Sequence, residues 1–118
     1  MKKTIKLKKN YEFNNTFKRG KYFSGNYIEC FFIKNNKNIN YFGIAIGSKH
    51  CNAVKRNRIK RLIREAYRSL ETSINTGNTY VFLLKKNIRV EECNYNSISE
   101  DMKEIFKKIG IINEKNND

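Results

Sequence analysis

Proline and tryptophan are absent from the 118-residue sequence, histidine occurs once, and cysteine occurs three times. Without proline, glycine residues and clusters of asparagine must end the helices and strands. Cys30, Cys51 and Cys93 are odd in number, far apart and without a CxxC spacing, which excludes a disulfide framework and a four-ligand zinc site. They are expected to be reduced thiols. His50 and Cys51 have no second ligand pair, so we interpret them as loop residues.

The motifs of a self-contained catalyst are also missing. There is no HxxxH, GxSxG, P-loop or dinucleotide fingerprint, and no recognisable motif places a pair of acidic residues. A nuclease made of protein alone would therefore lack its acid and base groups. We predict no catalytic residue in this chain.

Long apolar runs are absent too. No segment approaches the length of a membrane span, and residues 1–13 carry cations without the apolar core of an export signal. We therefore expect a cytoplasmic protein that needs no membrane. A chain of this length predicts one domain over 1–118, with flexible ends at 1–9 and 113–118.

Acidic residues are scarce: 11 Asp and Glu stand against 25 Lys and Arg, giving a net charge of +14. Such an excess favours a polyanionic partner, with nucleic acid ahead of a membrane surface. A general compositional bias toward Lys, Asn and Ile is the alternative. That bias does not explain why five of the seven arginines lie within 53–68, and arginine is the residue that grips phosphate through two parallel hydrogen bonds.

Hydrophobic periodicity predicts three helices and about four strands in one mixed central sheet, in the order α-β-β-(β)-α-β-α. The strands at 27–34 and 40–47 are predicted to form a hairpin, and Ser97 with Glu100 a capping box. The basic helix lies between two strands; if they pair in parallel, the crossover would ordinarily be right-handed. The predicted elements are a short helix over 10–20, extended structure at 21–24, strands at 27–34 and 40–47, a helix from about 52 to 70, a buried strand at 79–86 and a helix over 97–110.

The long helix separates its apolar and basic residues. Taking Ile59 as zero, the basic side lies between about 100° and about 200° around the axis. Lys60, Arg64 and Arg68 recur at i, i+4 and i+8 with no acid between them, and Glu65 lies to the side. An ordinary solvated face would mix charges, because like charges at this spacing are mildly destabilising. The pattern favours a phosphate-bearing partner.

RNA is favoured over DNA as that partner. We find neither a helix-turn-helix nor a zipper, whereas aromatic residues on a sheet beside a basic helix suit single-stranded RNA, whose bases stack on rings. The candidate rings are Phe13, Phe17 and Phe31. On spacing alone, simple core packing explains these three residues equally well.

The segment NAVKRNRIKRLIREAYR (52–68), with R-N-R followed by IKRLIRE, resembles the signature of the bacterial ribonuclease P protein family. LKKNYEFNNTFKRG (7–20) is similar to the opening helix of that family. GIAIGSK (43–49) resembles the strand that leads into the signature, and TYVFLLKKN (79–87) resembles the last strand. The resemblance thus spans nearly the whole chain in order.

The resemblance implies a ribonucleoprotein in which an RNA subunit performs Mg²⁺-dependent removal of the 5′ leader from precursor tRNA. The protein would bind the RNA subunit, one to one, and the single-stranded leader, without a small-molecule cofactor. It also implies an α/β (α+β) two-layer sandwich with a left-handed crossover through the basic helix. The alternative function is a non-catalytic RNA-binding module, such as a ribosomal or RNA-chaperone protein.

The resemblance also implies which residues serve each role. Mg²⁺ would lie near Asn57 and Arg58 through RNA phosphates, and the protein would supply no certain ligand. The chain departs from the family pattern over 47–51, and at Lys85 and Asn87, where Arg and Pro are common. The residues expected to meet the catalytic RNA are Arg56, Asn57, Arg58, Lys60, Arg61, Arg64 and Arg68; those expected to line the leader groove are Phe13, Phe17, Phe31, Lys49, Lys85 and Lys86.

Overall fold

Five strands form one mixed sheet in the computed structural model, which describes residues 3–49 and 51–111. Three helices accompany the sheet, so the predicted class of fold is confirmed, with one strand more than expected. In chain order the elements are β1 (Thr4–Lys6), α1 (Asn10–Arg19), β2 (Lys21–Ser24), β3 (Ile28–Lys34), β4 (Asn40–Ile44), α2 (Ala53–Leu70), β5 (Asn78–Leu84) and α3 (Tyr95–Ile109).

The predicted hairpin between the strands at 27–34 and 40–47, which correspond to β3 and β4, is wrong. The order across the sheet is β1-β4-β5-β3-β2, so β5 lies between β3 and β4. The reason is burial: six of the seven residues of β5 are buried, as a strand covered on both faces requires. The hairpin forms instead between β2 and β3, where the Gly25 N–H donates to the Ile28 carbonyl over 2.9 Å.

The basic helix α2 connects β4 and β5, which are neighbours in the sheet and pair in parallel. The parallel pairing considered from the sequence is therefore the one observed. In the register of β4 and β5, Tyr41 is opposite Thr79 and Ile44 is opposite Phe82. The left-handed crossover through α2, which the family resemblance implies, stays a prediction. Asn52 starts α2, because its side chain accepts a hydrogen bond from the Lys55 N–H over 2.9 Å.

Two local predictions need correction at the ends of the chain. Thr4–Lys6, expected to be loose, forms a parallel edge strand beside β4, and Thr4 Oγ1 donates to Glu71 Oε2 over 2.6 Å. The capping box of α3 pairs Asn94 with Ser97 instead of Ser97 with Glu100, so the helix starts earlier. His50 and residues 113–118 lie outside the described residues.

The sheet and the α2–α3 pair are the two main layers, with the core between them. Phe42 stacks on Tyr67 of α2 with ring centroids 4.5 Å apart, and Phe82 meets Phe106 of α3. Because side chains alternate along a strand, the odd-numbered residues of β3, β4 and β5 lie on the opposite face. α1 crosses that second face.

Candidate nucleic-acid interface

Helix α2 buries its apolar stripe and leaves its cations outside. Ile59, Ile63, Ala66 and Tyr67 are completely buried, as the periodicity predicted. In the described part of the chain, Lys55 is the one cation of α2 that forms an ion pair, with Glu91. The other cations keep their charge uncompensated. The seven predicted RNA-subunit residues divide into exposed Asn57, Arg58, Arg61 and Arg68, and half-buried Arg56, Lys60 and Arg64.

Arg64 differs from the other arginines of this helix. Its Nε is buried and has no hydrogen-bond partner among the described residues. Together with Lys60 it lines a small cleft of about 120 Å³ that Phe13 and Lys6 border from the other side. The cleft joins the basic face of α2 to the start of α1.

Helix α1 lies across one row of the sheet. Gly43, Val81 and Phe31 are aligned in register on β4, β5 and β3. A Cβ at Gly43 would meet the Phe13 ring at 2.6 Å, so only glycine lets α1 approach this closely. At the other end, the ring centroids of Phe17 and Phe31 are 5.1 Å apart in an edge-to-face contact.

The front groove is the surface formed by Phe13, Phe17, Phe31 and Tyr22. The three phenylalanines are half-buried, so they support α1 and still expose part of each ring. Tyr22 is 51% exposed and its ring lies 5.2 Å from that of Phe31. The sequence analysis did not name Tyr22 as a candidate ring. The available signal was its position in the extended segment 21–24, which pairs with the strand of Phe31. The three neighbouring rings Phe17, Phe31 and Tyr22 form a platform on which bases can stack.

A carboxylate also lies beside this groove. The Tyr22 hydroxyl donates to Glu29 Oε2 over 2.6 Å. This hydrogen bond raises the pKa of Tyr22 above its ordinary value. The bond holds the exposed ring in place and leaves the hydroxyl protonated at neutral pH.

The three predicted leader lysines have different environments. Lys85 is half-buried and its Nζ donates to the Gly25 carbonyl over 3.0 Å, so it is engaged in holding the β2–β3 turn. Lys49 and Lys86 are exposed. Lys86 lines a cavity of about 270 Å³ at the start of α2, together with Cys51 and Asn52. Lys49 and Lys86 are the two lysines of this set whose ammonium groups are accessible to a phosphate.

The β2–β3 turn depends on a residue that the sequence did not single out. Asp101 of α3 is buried, and its carboxylate accepts hydrogen bonds from the backbone N–H groups of Asn26, Tyr27 and Ile28 at 2.6 to 2.9 Å. A buried acid within the apolar stripe of α3 was the signal. Asp101 positions the turn that precedes Glu29 and Phe31.

Comparison with known proteins agrees with this geometry. The family model for ribonuclease P matches residues 1–110. The chain belongs to the bacterial ribonuclease P protein family. The ribonuclease P protein component of Natranaerobius thermophilus is 35% identical over 112 residues, which cover 95% of this chain and 96% of that protein. As the protein component of ribonuclease P, the chain is one part of a ribonucleoprotein endoribonuclease.

Solved structures of ribonuclease P proteins share the fold. The protein from Thermotoga maritima superimposes with a TM-score of 0.78 at 27% identity, covering 88% of this chain and 96% of that one. The protein from Staphylococcus aureus gives 0.79 at 23% identity, covering 92% and 97%. The arrangement of α1, α2 and the mixed sheet is therefore the arrangement of the ribonuclease P proteins.

The cysteines of this ribonuclease P protein are free thiols. Cys30 and Cys93 are buried, and burial raises the pKa of Cys93 to about 11 and that of Cys30 as well. Both are therefore protonated, unreactive members of the core at neutral pH. Cys51 is half-buried, and its carbonyl accepts a hydrogen bond from Arg56 Nη1 over 3.3 Å.

The described residues do not gather a metal site of their own. No group of three His, Cys, Asp or Glu side chains converges in the described ranges. Near the start of α2, Asn57 is exposed and offers one amide oxygen, and the neighbouring Arg58 offers only donors. This donor set does not fit a Mg²⁺ ion bound by protein alone.

Across the described residues, no helix combines the length and apolarity needed to span a membrane.

Proposed function

We propose that this ribonuclease P protein binds the RNA subunit through the basic face of α2 and holds the 5′ leader of precursor tRNA in the front groove. The observation that carries the proposal is the junction between the two surfaces. Lys60 and Arg64 of α2 share a cleft with Phe13 of α1. One RNA assembly can therefore contact the uncompensated cations and the ring platform at the same time.

The basic face of α2 suits the phosphates of a folded RNA. Arginine forks bind phosphate through two hydrogen bonds and keep their charge at every physiological pH. Arg64 supports this role because it lines the cleft between α2 and Phe13 and forms no ion pair with another described residue. The residues assigned to this contact are Arg56, Asn57, Arg58, Lys60, Arg61, Arg64 and Arg68.

The front groove suits a single strand. Bases of the leader would stack on Phe17, Phe31 and Tyr22, while Lys49 and Lys86 would bind its phosphates. Phe13 would close the groove toward α2. Lys85 would act through the turn that it holds, because its ammonium group already binds the Gly25 carbonyl.

Hydrolysis would take place in the RNA subunit. Mg²⁺ bound to that RNA would supply the activated water and the charge stabilisation of the cleavage step. Because the donors near Asn57 and Arg58 do not build an ion site, the RNA phosphates would hold the metal there. The role of this chain is to hold the leader and to neutralise phosphates close to that metal, in a complex with one RNA subunit in the cytoplasm.

A reconstitution assay tests the proposal. The protein is mixed with its cognate RNA subunit and a precursor tRNA at low Mg²⁺, with each component alone as a control, and release of the 5′ leader is measured. We expect release only in the mixture, or much faster there than with RNA alone. Tight RNA binding without acceleration would indicate a plain RNA-binding module. Release by the protein alone would show a catalytic site that we have not recognised.

A further inference from the structure

A second groove lies on the other side of α1. It encloses about 780 Å³ between α1 and the opposite end of the sheet, a volume typical of ligand sites. Thr79 is in register with both Ile33 and Tyr41, so these three form a row next to the one that α1 covers. We call this surface the back groove; the residues that matter to its chemistry are Tyr11, Lys18, Ile33, Lys34, Lys37 and Tyr41.

The rim of the back groove is strongly positive. Lys18 and Arg19 come from α1, and Lys34 and Lys37 from the end of β3 and the turn after it. None of these four forms an ion pair with another described residue. The one acid in the lining is Glu12.

Glu12 offsets only part of this charge, since it is one carboxylate against four cations. Its Oε1 accepts hydrogen bonds from the backbone N–H groups of Lys8 and Lys9 at 3.2 and 3.1 Å, which caps the start of α1. The carboxylate is thereby held at the end of the helix. An anionic ligand would meet an excess of positive charge in the groove, four cations against one carboxylate.

The groove also pairs cations with rings. Lys37 Nζ lies 5.3 Å from the centroid of the Tyr41 ring and donates to the Tyr41 hydroxyl over 3.5 Å. Outside the lining, Lys9 Nζ lies 5.9 Å from the centroid of the Tyr11 ring. Tyr11 is 66% exposed, an unusual fraction for so large a ring. Rings next to ammonium groups that have no ion-pair partner favour a ligand that carries flat bases and phosphates together.

We propose that the back groove binds a further segment of single-stranded RNA, namely the part of a long 5′ leader that extends beyond the front groove. Bases would stack on Tyr41 and Tyr11, and phosphates would bind Lys18, Lys34 and Lys37. α1 separates the two grooves by roughly 10 Å, one helix diameter. A strand leaving the front groove can cross its exposed Asn14 and Asn15. The inference rests on the proposed binding of the leader.

Paired charge removals test the inference in the assembled holoenzyme. Lys34→Ala with Lys37→Ala removes two charges from the back groove. Lys103→Ala with Lys107→Ala, on α3, is the control for the same change in net charge; unlike the groove lysines, Lys107 pairs with Glu104. Affinity is measured for a precursor tRNA whose leader fills only the front groove and for one with a longer leader. We expect the first pair to weaken the long-leader complex roughly fivefold to tenfold and to leave the short-leader complex unchanged. The slope of log affinity against log salt should fall by about 0.7 per lost phosphate contact.

The opposite results are equally clear. If the long and short leaders lose affinity equally, or neither loses any, the back groove does not bind the distal leader. The control pair should change neither. If the unaltered protein neither binds leader nor speeds its removal, the proposed function has failed, which is a different result from loss of the length dependence alone.

A crosslinking experiment locates the strand directly. A photoreactive nucleotide placed near the 5′ end of the long leader should crosslink to the peptide that contains 33–41. Placed next to the cleavage site, it should crosslink outside that peptide. Distal crosslinks only to the RNA subunit, or to a second copy of the protein, would overturn the inference.

Discussion

The two faces of the sheet both carry aromatic residues, but the rings differ in exposure. On the face covered by α2 and α3, Tyr67, Tyr80, Phe82 and Phe106 are completely buried and contact one another. On the face crossed by α1, Phe31 is half-buried and Tyr22 is 51% exposed. α1 covers one row of that face and leaves a groove on each side. Exposure, rather than residue type, therefore separates a core ring from a ring that we propose binds the leader.

The largest effect is expected from truncating a ring on the buried face. Phe106→Ala should lower the free energy of unfolding by about 3 to 5 kcal/mol, because the ring contacts Tyr67, Tyr80 and Phe82 and would leave a cavity. Urea denaturation followed by circular dichroism measures the change. RNA affinity of the fraction that remains folded should be unaltered. A cost below about 1 kcal/mol would mean that the two faces are not as different as their burial indicates.

The next effect links the two faces. Asp101→Asn removes the charge from a carboxylate that accepts three backbone N–H groups, and should cost about 2 to 3 kcal/mol. Since these N–H groups lie in the β2–β3 turn, leader binding should weaken as well. Glu100→Gln, on the same helix but exposed, is the matched control and should be neutral. Normal stability in Asp101→Asn would show that the turn does not need the charge.

Much of the buried face could be predicted from the sequence. The stripes of α2 and α3 repeat with the helical period, and β5 is a run of apolar residues, so each pattern names both its element and its buried side. Which strands pair with each other could not be predicted from these patterns. β3 and β4 are separated by a short turn, which favours a hairpin, but β5 takes the place between them because it is the strand that tolerates burial on both faces.

The face of the sheet crossed by α1, here called the open face, was predictable only in part. The family signature and the helical period together place the cations of α2 on one side. Tyr22, the engagement of Lys85 with Gly25, and the back groove all depend on where α1 lies on the sheet. That position follows from the close approach of Phe13 to Gly43 and from the contact of Phe17 with Phe31, which are contacts between distant segments of the chain.

On the open face, Phe17→Ala should affect leader binding more than folding. Loss of one stacking ring costs about 1 to 3 kcal/mol of binding, so affinity for precursor tRNA should fall roughly tenfold. Affinity for tRNA without a leader should not change, and equilibrium binding to the holoenzyme measures both. Phe17→Leu keeps the bulk under α1 while removing the aromatic face, and separates stacking from packing. If both substrates lose affinity equally, Phe17 belongs with the core rings and the comparison of the two faces fails at this position.

The smallest effect concerns a charge at the junction between α2 and the front groove. Arg64→Ala should weaken binding of the RNA subunit roughly fivefold and reduce the dependence of log affinity on log salt by about 0.7 to 0.9 for the lost phosphate contact. Stability should change little, because Arg64 forms no ion pair with another described residue. Titration of the RNA subunit at several salt concentrations gives both quantities, and Lys103→Ala on α3 is the control.

Arg58→Ala should reduce the slope similarly, because Arg58 is exposed on the same helix. An unchanged slope for Arg64→Ala with a reduced one for Arg58→Ala would move the RNA contact toward the start of α2, away from Phe13. The junction between the two surfaces would then no longer support a single path for the RNA.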